Sequence, residues 1–341
     1  MQNVEPNPYK KETVASSFIS MEALAAVVCM ALFLWSVQRY DTMPSEKGMD
    51  DTNSPEIIEK AMELKPGKLA AEGKMDDAVK EASTLIDKKK YDTLANVCAG
   101  NVFIAANLRA DGLKYLKNSV ALSHRNRYVI ENYAEKLAEV GQTEEAIAQF
   151  EALVSSDKDK NWVKPHLELA MLYMQTEKPG DAADQLKSVV AANEHNFVAR
   201  KMRGIALARS NQLKQGLDEY VRAISDESRT GVPDAIKSLL GSKGTSAIDK
   251  VTYELQQQIN NHPDEYVPKL RLGQLYEYQN QLNDAKAELL DARRLQPNNP
   301  EVLRTLAVVQ KELGEDNQAM SNFKLSVNIE AKQEKEKSKD N

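Results

Sequence analysis

A repeat of 34 residues near the C-terminus constrains the fold of this chain more than any other feature. Residues 266–299 and 300–333 carry the same residue types at matching positions. Leu272 aligns with Leu306, and Ala285 aligns with Ala319. A fixed period of this length predicts stacked structural units that bury their apolar faces mainly against their neighbours.

The spacing inside each unit predicts two helices. Leu272, Gly273 and Tyr276 fall on one face of a first helix. The second helix is defined by residues at spacings of four and seven: Ala285, Leu289 and Ala292. The small residues let the two helix axes approach, and the large ones fill the space between them.

This pattern resembles the tetratricopeptide repeat, a helix–turn–helix unit of 34 residues. The resemblance rests on Leu272, Gly273, Tyr276, Ala285, Leu289, Ala292 and Pro297. It implies an all-α fold, a right-handed superhelical α-solenoid whose first helices line a concave groove. It also implies a role in binding other proteins.

The same period divides most of the chain. The solenoid is predicted over residues 55–333, followed by a charged, frayed tail at 334–341. The predicted units are 59–92, 93–126, 127–160, 163–196, 197–230, 232–265, 266–299 and 300–333. Units 59–92 and 232–265 match the pattern poorly, and the first of them is interpreted as a terminal cap.

The N-terminal region differs in composition from the repeats. Residues 1–17 read as a flexible lead, 18–38 as a transmembrane helix and 39–54 as a linker. From Phe18 to Val37 the only charge is Glu22, and a helix of that length spans about 30 Å, enough for a bilayer core. We predict a single-pass membrane protein that contacts lipid through residues 18–38, with the repeats on the extracytoplasmic side.

Three other interpretations of this segment stay open. It could be a buried helix of a soluble protein or a cleaved signal peptide, although no small-residue cleavage site follows it. Phe18 and Glu22 also resemble the start of a type IV pilin-like segment, but Ser17 stands where such sequences have glycine. That resemblance implies a processed N-terminal helix in a pilus or secretion machinery.

The sequence offers no recognisable chemistry. Metalloprotease, P-loop, nucleophile-elbow and dinucleotide motifs are absent, and the four histidines have no partner at metal-ligand spacing. A net charge of −6 and a pI of about 5.5 argue against a nucleic-acid partner. We therefore predict a non-enzymatic protein with no cofactor, no metal and no catalytic residue.

A groove lined by first helices is the predicted binding site. The candidate residues are Asn101, Tyr128, Asn132, Glu135, Lys164, Met171, Met174, Lys201, Arg271, Gln274 and Tyr278. Polar groups and adaptable methionines suit a peptide or helix. A carboxylate clamp of the kind that binds chaperone C-termini is rejected, because Val97 and Glu168 replace two of its cations.

We interpret the chain as a membrane-anchored protein-interaction scaffold or assembly factor. The partner is an unidentified protein or peptide, and the oligomeric state stays open. Two alternatives remain: the pilin-like or secretion-machinery component, and a tethering subunit of a cell-envelope enzyme complex.

Overall fold

The described part of the chain is built from helices. The structure is a computed structural model that describes residues 54–156 and 162–337. Its α-helices are α1 (Glu56–Met62), α2 (Lys65–Ala71), α3 (Met75–Lys89), α4 (Thr93–Ala105), α5 (Arg109–Leu122), α6 (Arg127–Glu139), α7 (Thr143–Ser156), α8 (Val163–Gln175), α9 (Pro179–Ala192), α10 (Phe197–Arg209), α11 (Leu213–Thr230), α12 (Asp234–Leu240), α13 (Ile248–Asn261), α14 (Tyr266–Tyr278), α15 (Leu282–Leu295), α16 (Pro300–Glu312) and α17 (Asp316–Lys337). A 3₁₀ helix, Gly241–Ala247, separates α12 from α13. No strand occurs in these two ranges, so the all-α class is confirmed for them.

Six helix pairs follow the predicted units. They are α4–α5, α6–α7, α8–α9, α10–α11, α14–α15 and α16–α17. The two helices of each pair pack together, and the second helix of a pair packs against the first helix of the next, from α3 to α10 and again from α15 to α16. The helix–turn–helix architecture is therefore confirmed for these six pairs, while the bounds of the units and the right-handed sense of the superhelix stay predictions.

The turns inside the pairs share one backbone conformation. The second residue after the first helix has a positive φ, and the next amide donates to the carbonyl five residues earlier. The residues with positive φ are Gly73, Asn107, Gly141, Glu177, Asn211, Asn280 and Gly314. This left-handed closure satisfies carbonyls at the helix C-terminus. Glycine or asparagine provides it everywhere except at Glu177.

Small residues bring the paired helices close together, as the sequence predicted. A Cβ atom added at Gly273 would lie 2.7 Å from Cγ of Leu289, across the α14–α15 contact. At the α10–α11 contact the approach is closer, because a Cβ at Gly216 would lie 2.4 Å from the carbonyl oxygen of Gly204. The packing of these pairs therefore depends on positions without a side chain.

The first unit, 59–92, departs from the pattern. Its first helix is broken into α1 and α2 at Leu64, whose backbone is extended, and Pro66 starts α2. The turn is tight, since a Cβ at Gly67 would lie 2.2 Å from the carbonyl oxygen of Met62. As a result, α1 leaves the stack and packs against α4 and α6, the first helices of the next two units.

The order of stacking differs from the prediction at the C-terminal end of the array. The tiling implied that α11 would be covered by the unit that follows it, 232–265. Instead, α11 packs against α16 and α17, and α10 also packs against α17. Leu217 of α11 shares a core cluster with Phe323 and Val327 of α17. We call α12 to α17 the C-terminal block. Its last pair, α16–α17, covers the α10–α11 pair, and unit 232–265 lies at the other end of the block.

The predicted tail, 334–341, is helical in its first four residues, because α17 continues to Lys337. Glu334 pairs with Arg209 at 2.7 Å, and Lys335 pairs with Glu177 at 2.7 Å. These ion pairs hold residues that the sequence analysis expected to be frayed.

The predicted lead, transmembrane helix and residues 39–53 of the linker lie outside the described residues. Within the described ranges, no helix has the length and apolar character that a membrane span requires.

Candidate functional site

The first helices of neighbouring units lie side by side and form one face of the array. Helices α4 and α6 are in contact, and so are α6 and α8. We call the side of the array formed by α4, α6 and α8 the groove face. Seven of the predicted binding residues belong to these helices: Asn101, Tyr128, Asn132, Glu135, Lys164, Met171 and Met174.

The N-terminal end of the groove face is covered by the chain itself. Val97 and Cys98 of α4 are fully buried, and they share an apolar cluster with Ile57, Ile58 and Met62 of α1. Burial raises the pKa of the Cys98 thiol to about 11, although the Gly67 amide opposes the shift by donating to the sulfur. Beside this cluster, the Asn132 amide donates to the Asn101 side-chain oxygen at 3.4 Å, which links α6 to α4.

A charged cluster occupies the middle of the groove face. The Lys164 ammonium lies 2.7 Å from a Glu135 oxygen and 3.4 Å from a Glu131 oxygen. Burial lowers the pKa of Lys164, but the charges of the two carboxylates outweigh burial and hold the pKa above its ordinary value. Lys164 is therefore engaged within the chain and is not an unoccupied anion site.

Glu168 lies one helical turn after Lys164, and the charge of its carboxylate is only partly balanced by the Lys164 ammonium. Burial raises the pKa of Glu168 to about 7, and the charge of Glu135 raises it further than Lys164 lowers it. The carboxyl groups of Glu131, Glu135 and Glu168 thus lie near the Lys164 ammonium. Glu131 and Glu168 were not among the predicted site residues, although Glu168 had been noted as the residue that replaces a cation of the carboxylate clamp.

Three other predicted residues extend the groove face. Met171 and Met174 of α8 are half-buried and lie one and two turns beyond Glu168. Tyr128 lies at the start of α6, where its ring packs against Trp162 at 5.8 Å between centroids and under the Arg127 guanidinium. Tyr128 therefore belongs to a packed corner at the edge of the face.

Lys201 lies apart from these residues, at the junction with the C-terminal block. Its ammonium donates to Glu227 of α11 at 2.6 Å. The neighbouring Glu277 of α14 has its pKa raised to about 7 by burial and by the charges of Glu312 and Glu227, with Lys201 opposing. Lys201 thus balances acidic groups on two other helices, Glu227 of α11 and Glu277 of α14.

The last three predicted residues belong to the C-terminal block. Arg271 donates to Gln274 at 2.8 Å and to Glu301 of α16 at 2.9 Å, which joins two adjacent first helices. Tyr278 packs against the apolar cluster of unit 232–265. These three residues therefore lie on α14, in the part of the chain that follows the change in stacking order after α11.

The composition of α4 could have predicted that this helix is covered on two faces. A helix that is covered on one face has an apolar side and a polar side, whereas apolar residues are distributed all around α4. Such a helix must be covered on both faces, and α1 provides the second cover.

The described residues contain no group of three histidine, cysteine, aspartate or glutamate side chains arranged to hold a metal ion. The four histidines do not converge, and His166 of α8 is hydrogen-bonded to Gln185 of α9 at 2.7 Å. The groove face offers binding groups: apolar surface, adaptable thioethers and carboxylates.

Paired helices with recurring turns and a shared first-helix face define a helical-repeat protein of the solenoid class. Comparison with family models agrees, because residues 167–231, which cover most of α8 to α11, match the tetratricopeptide repeat. This segment is therefore similar to the tetratricopeptide repeat, in agreement with the resemblance. Comparison with curated proteins finds no match.

Solved structures with similar folds have low identity to this chain. YrrB, described as a TPR protein with an unusual peptide-binding site, is 17% identical, with a TM-score of 0.39, 65% of this chain covered and 95% of that chain. A tetratricopeptide repeat protein from Parabacteroides merdae is 15% identical, with a TM-score of 0.41 and coverages of 80% and 93%. Pseudomonas aeruginosa pilF is 15% identical, with a TM-score of 0.43 and coverages of 76% and 98%. Likenesses of this degree carry no argument about partners.

Proposed function

We propose that this chain is a non-enzymatic interaction scaffold that binds a helix or peptide of another protein on the groove face. One observation supports this most directly. Helices α6 and α8 are in contact and carry four half-buried side chains, which we call the strip: Glu135, which pairs with Lys164 across the contact, Glu168, Met171 and Met174. Methionines adapt to varied apolar ligands, and carboxylates select the charge of the ligand.

The charge of the strip favours a basic partner. Among the described residues, Glu135 and Glu168 lie beside one ammonium group, that of Lys164. The Lys164 ammonium is already paired with Glu135 and Glu131. A lysine or arginine of the partner that reaches Glu168 would therefore displace the proton of this carboxyl group and form an ion pair with it. An acidic peptide would instead be repelled.

The test is affinity purification of the tagged full chain from detergent-extracted membranes of its source organism. The groove variant combines Met171→Asp and Met174→Asp. The control combines Leu290→Asp and Leu325→Asp, which places the same charge on two exposed leucines of second helices, α15 and α17. The proposal requires that the groove variant loses the partner while the control retains it. Equal recovery from both variants would rule out the groove face. Lys164→Glu is less suitable, because it would also break the internal cluster with Glu131 and Glu135.

We also propose that residues 18–38 anchor the scaffold in a membrane, with the repeats on the extracytoplasmic side. The support is the length and composition of Phe18–Val37, which holds a single charged residue. Carbonate extraction of the full chain tests the anchor, with a deletion of residues 18–38 as the control. Protease added to intact cells or spheroplasts tests the side, since exposed repeats would be digested.

The N-terminal residue of the membrane-bound protein distinguishes an anchor from a processed helix. An intact Met1 agrees with the anchor. A mature chain that begins at Phe18 would instead support the pilin-like alternative.

A further inference from the structure

Helix α1 already occupies part of the groove face. It crosses α4 and α6 and presents Ile57, Ile58, Ala61 and Met62 to an apolar cluster that includes Val97 and Cys98. Ala61 is fully buried in this contact. A short amphipathic helix thus lies on a surface formed by first helices, which is the geometry of helix-in-groove recognition.

The attachment of α1 is almost wholly apolar. In the described part of the chain, its one ion pair is internal, between Lys60 and Glu56 at 3.1 Å. A helix of seven residues is not stable alone, so its helical form depends on this contact. The tight turn at Gly67 directs α1 back over the groove face. Opening α1 therefore breaks apolar contacts without leaving a buried charge unpaired.

We propose that the groove face over α4 and α6 is a docking site for an amphipathic helix of the partner, and that α1 is its exchangeable internal ligand. This inference deepens the proposed function and rests on it for the identity of the binding surface. Exchange becomes favourable when the partner helix makes the contacts of α1 and adds others that α1 is too short to make.

The chemistry of the partner helix follows from what lies beneath and beyond α1. Where it replaces α1, it carries apolar residues at the spacing of Ile57, Ile58, Ala61 and Met62. Where it continues along α6 towards α8, it passes Glu135 and Glu168, so it carries lysine or arginine there. Helix α1 has Glu56 and Glu59 on its exposed side, and its cation, Lys60, is paired with Glu56, so it does not make these ion pairs.

Cys98 reports directly on the exchange. Its thiol is buried beneath the α1–α2 turn and has a raised pKa, so a maleimide reagent reaches it only when α1 opens. The experiment uses the full chain in detergent, with Cys29→Ser removing the other thiol. Gly67→Val releases α1 by steric conflict with Met62, and Ile58→Asp releases it by charge. Lys60→Ala is the control, because it alters only the exposed side of α1.

The probe is a labelled peptide with the sequence of residues 54–64. Both releasing variants should raise the Cys98 modification rate by roughly tenfold or more, since reaction follows the fraction open. Added peptide should bind the releasing variants and restore protection of Cys98, while wild type and Lys60→Ala bind it at least about tenfold more weakly. Unchanged protection of Cys98 in both variants, or no binding of the peptide to opened variants, would overturn the proposal.

Hydrogen exchange of the wild-type chain covers the case in which the variants misfold. The amides of residues 56–62 should exchange faster than those of residues 93–105, through a local opening that leaves α4 folded. Equal protection of the two segments would contradict exchangeability. If these experiments fail, the α8 part of the groove face stays a candidate binding surface. If the variant with Met171→Asp and Met174→Asp still recovers the partner, the proposed function itself is wrong.

Discussion

Tyr220 and Phe323 are in ring contact, with centroids 5.3 Å apart, although two complete units separate them in the sequence. Around them, Lys311 lies 3.2 Å from Asp218, and the Ser225 hydroxyl donates to Glu312 at 3.1 Å. The last pair thus takes the place beside α11 that sequential stacking would give to unit 232–265. The C-terminal block is joined to the rest by this non-local interface as well as by the short connection at 231–233.

A double-mutant cycle tests this order of stacking. Leu217→Ala and Phe323→Ala each remove a buried side chain from the shared cluster and should each cost about 2–5 kcal/mol in the free energy of unfolding. Because the two residues pack in one cluster, their effects should be coupled by about 0.5–3 kcal/mol.

The control cycle pairs Leu217→Ala with Leu240→Ala, in the unit that follows in the sequence. These two residues lie in different clusters, so their effects should add. Coupling of Leu217 to Leu240 in place of Phe323 would show that the units stack in sequence. Both cycles are measured by urea unfolding, monitored by circular dichroism.

Alanine substitution should have opposite effects on stability at Gly216, where α10 and α11 approach closely, and at Gly180, which has open space around it. Gly216→Ala would place a Cβ 2.4 Å from the Gly204 carbonyl and 2.8 Å from the Ala208 amide nitrogen, and backbone atoms cannot move aside without separating the helices. We expect a loss of roughly 1–3 kcal/mol in the free energy of unfolding.

Gly180→Ala is the matched substitution, since no atom lies within 4 Å of its added Cβ, in the first turn of α9. It should be neutral or stabilise by up to about 1 kcal/mol, because alanine restricts the unfolded chain. Thermal unfolding of the two variants measures the difference. Equal melting temperatures would contradict the close packing of α10 and α11.

Glu168 predicts a pH dependence of stability. Its pKa is raised from 4.5 to about 7 by burial and by Glu135, so the folded chain holds a proton that the unfolded chain releases above pH 4.5. That contribution is complete below pH 4.5 and is lost as the pH rises through about 7. Glu168→Gln removes the titration, so it should gain thermal stability relative to wild type as the pH rises over this window.

The comparison is made by melting temperature at several pH values, with Glu59→Gln as a control on the exposed side of α1. The difference between Glu168→Gln and wild type should level off above about pH 7. A difference that is independent of pH would show that the Glu168 carboxyl is not perturbed. If the partner supplies a cation to Glu168, the same variant should also weaken partner binding.

The sequence was sufficient for the helix pairs and insufficient for their order. Spacings such as Leu272–Tyr276 and Ala285–Leu289 define which residues face inward within a pair, and local packing obeys them. The units repeat the same apolar spacing, so periodicity could not tell which of them would cover α11. That outcome depends on unit 232–265, where Gly241 and Gly244 interrupt the helices and change the chain direction.

The candidate site was predicted in part for the same reason. The positions of Asn132, Lys164 and Met171 on first helices follow from the period, and they lie on the groove face. The ion pairs of Lys164 with Glu131 and Glu135 depend on how adjacent helices are offset, which spacing within one helix does not specify. Likewise, the break at Pro66 and Gly67 was visible in the sequence, but the return of α1 over α4 was not.

The most direct test of a binding groove face is photo-crosslinking of the full chain in its native membrane. A photoreactive amino acid is placed singly at position 171 on α8, at position 174 one turn further, and at position 290 on α15. The account predicts crosslinks to one protein partner from positions 171 and 174 and none to that partner from position 290. Crosslinks from position 290 alone, or equal yields from all three positions, would contradict it.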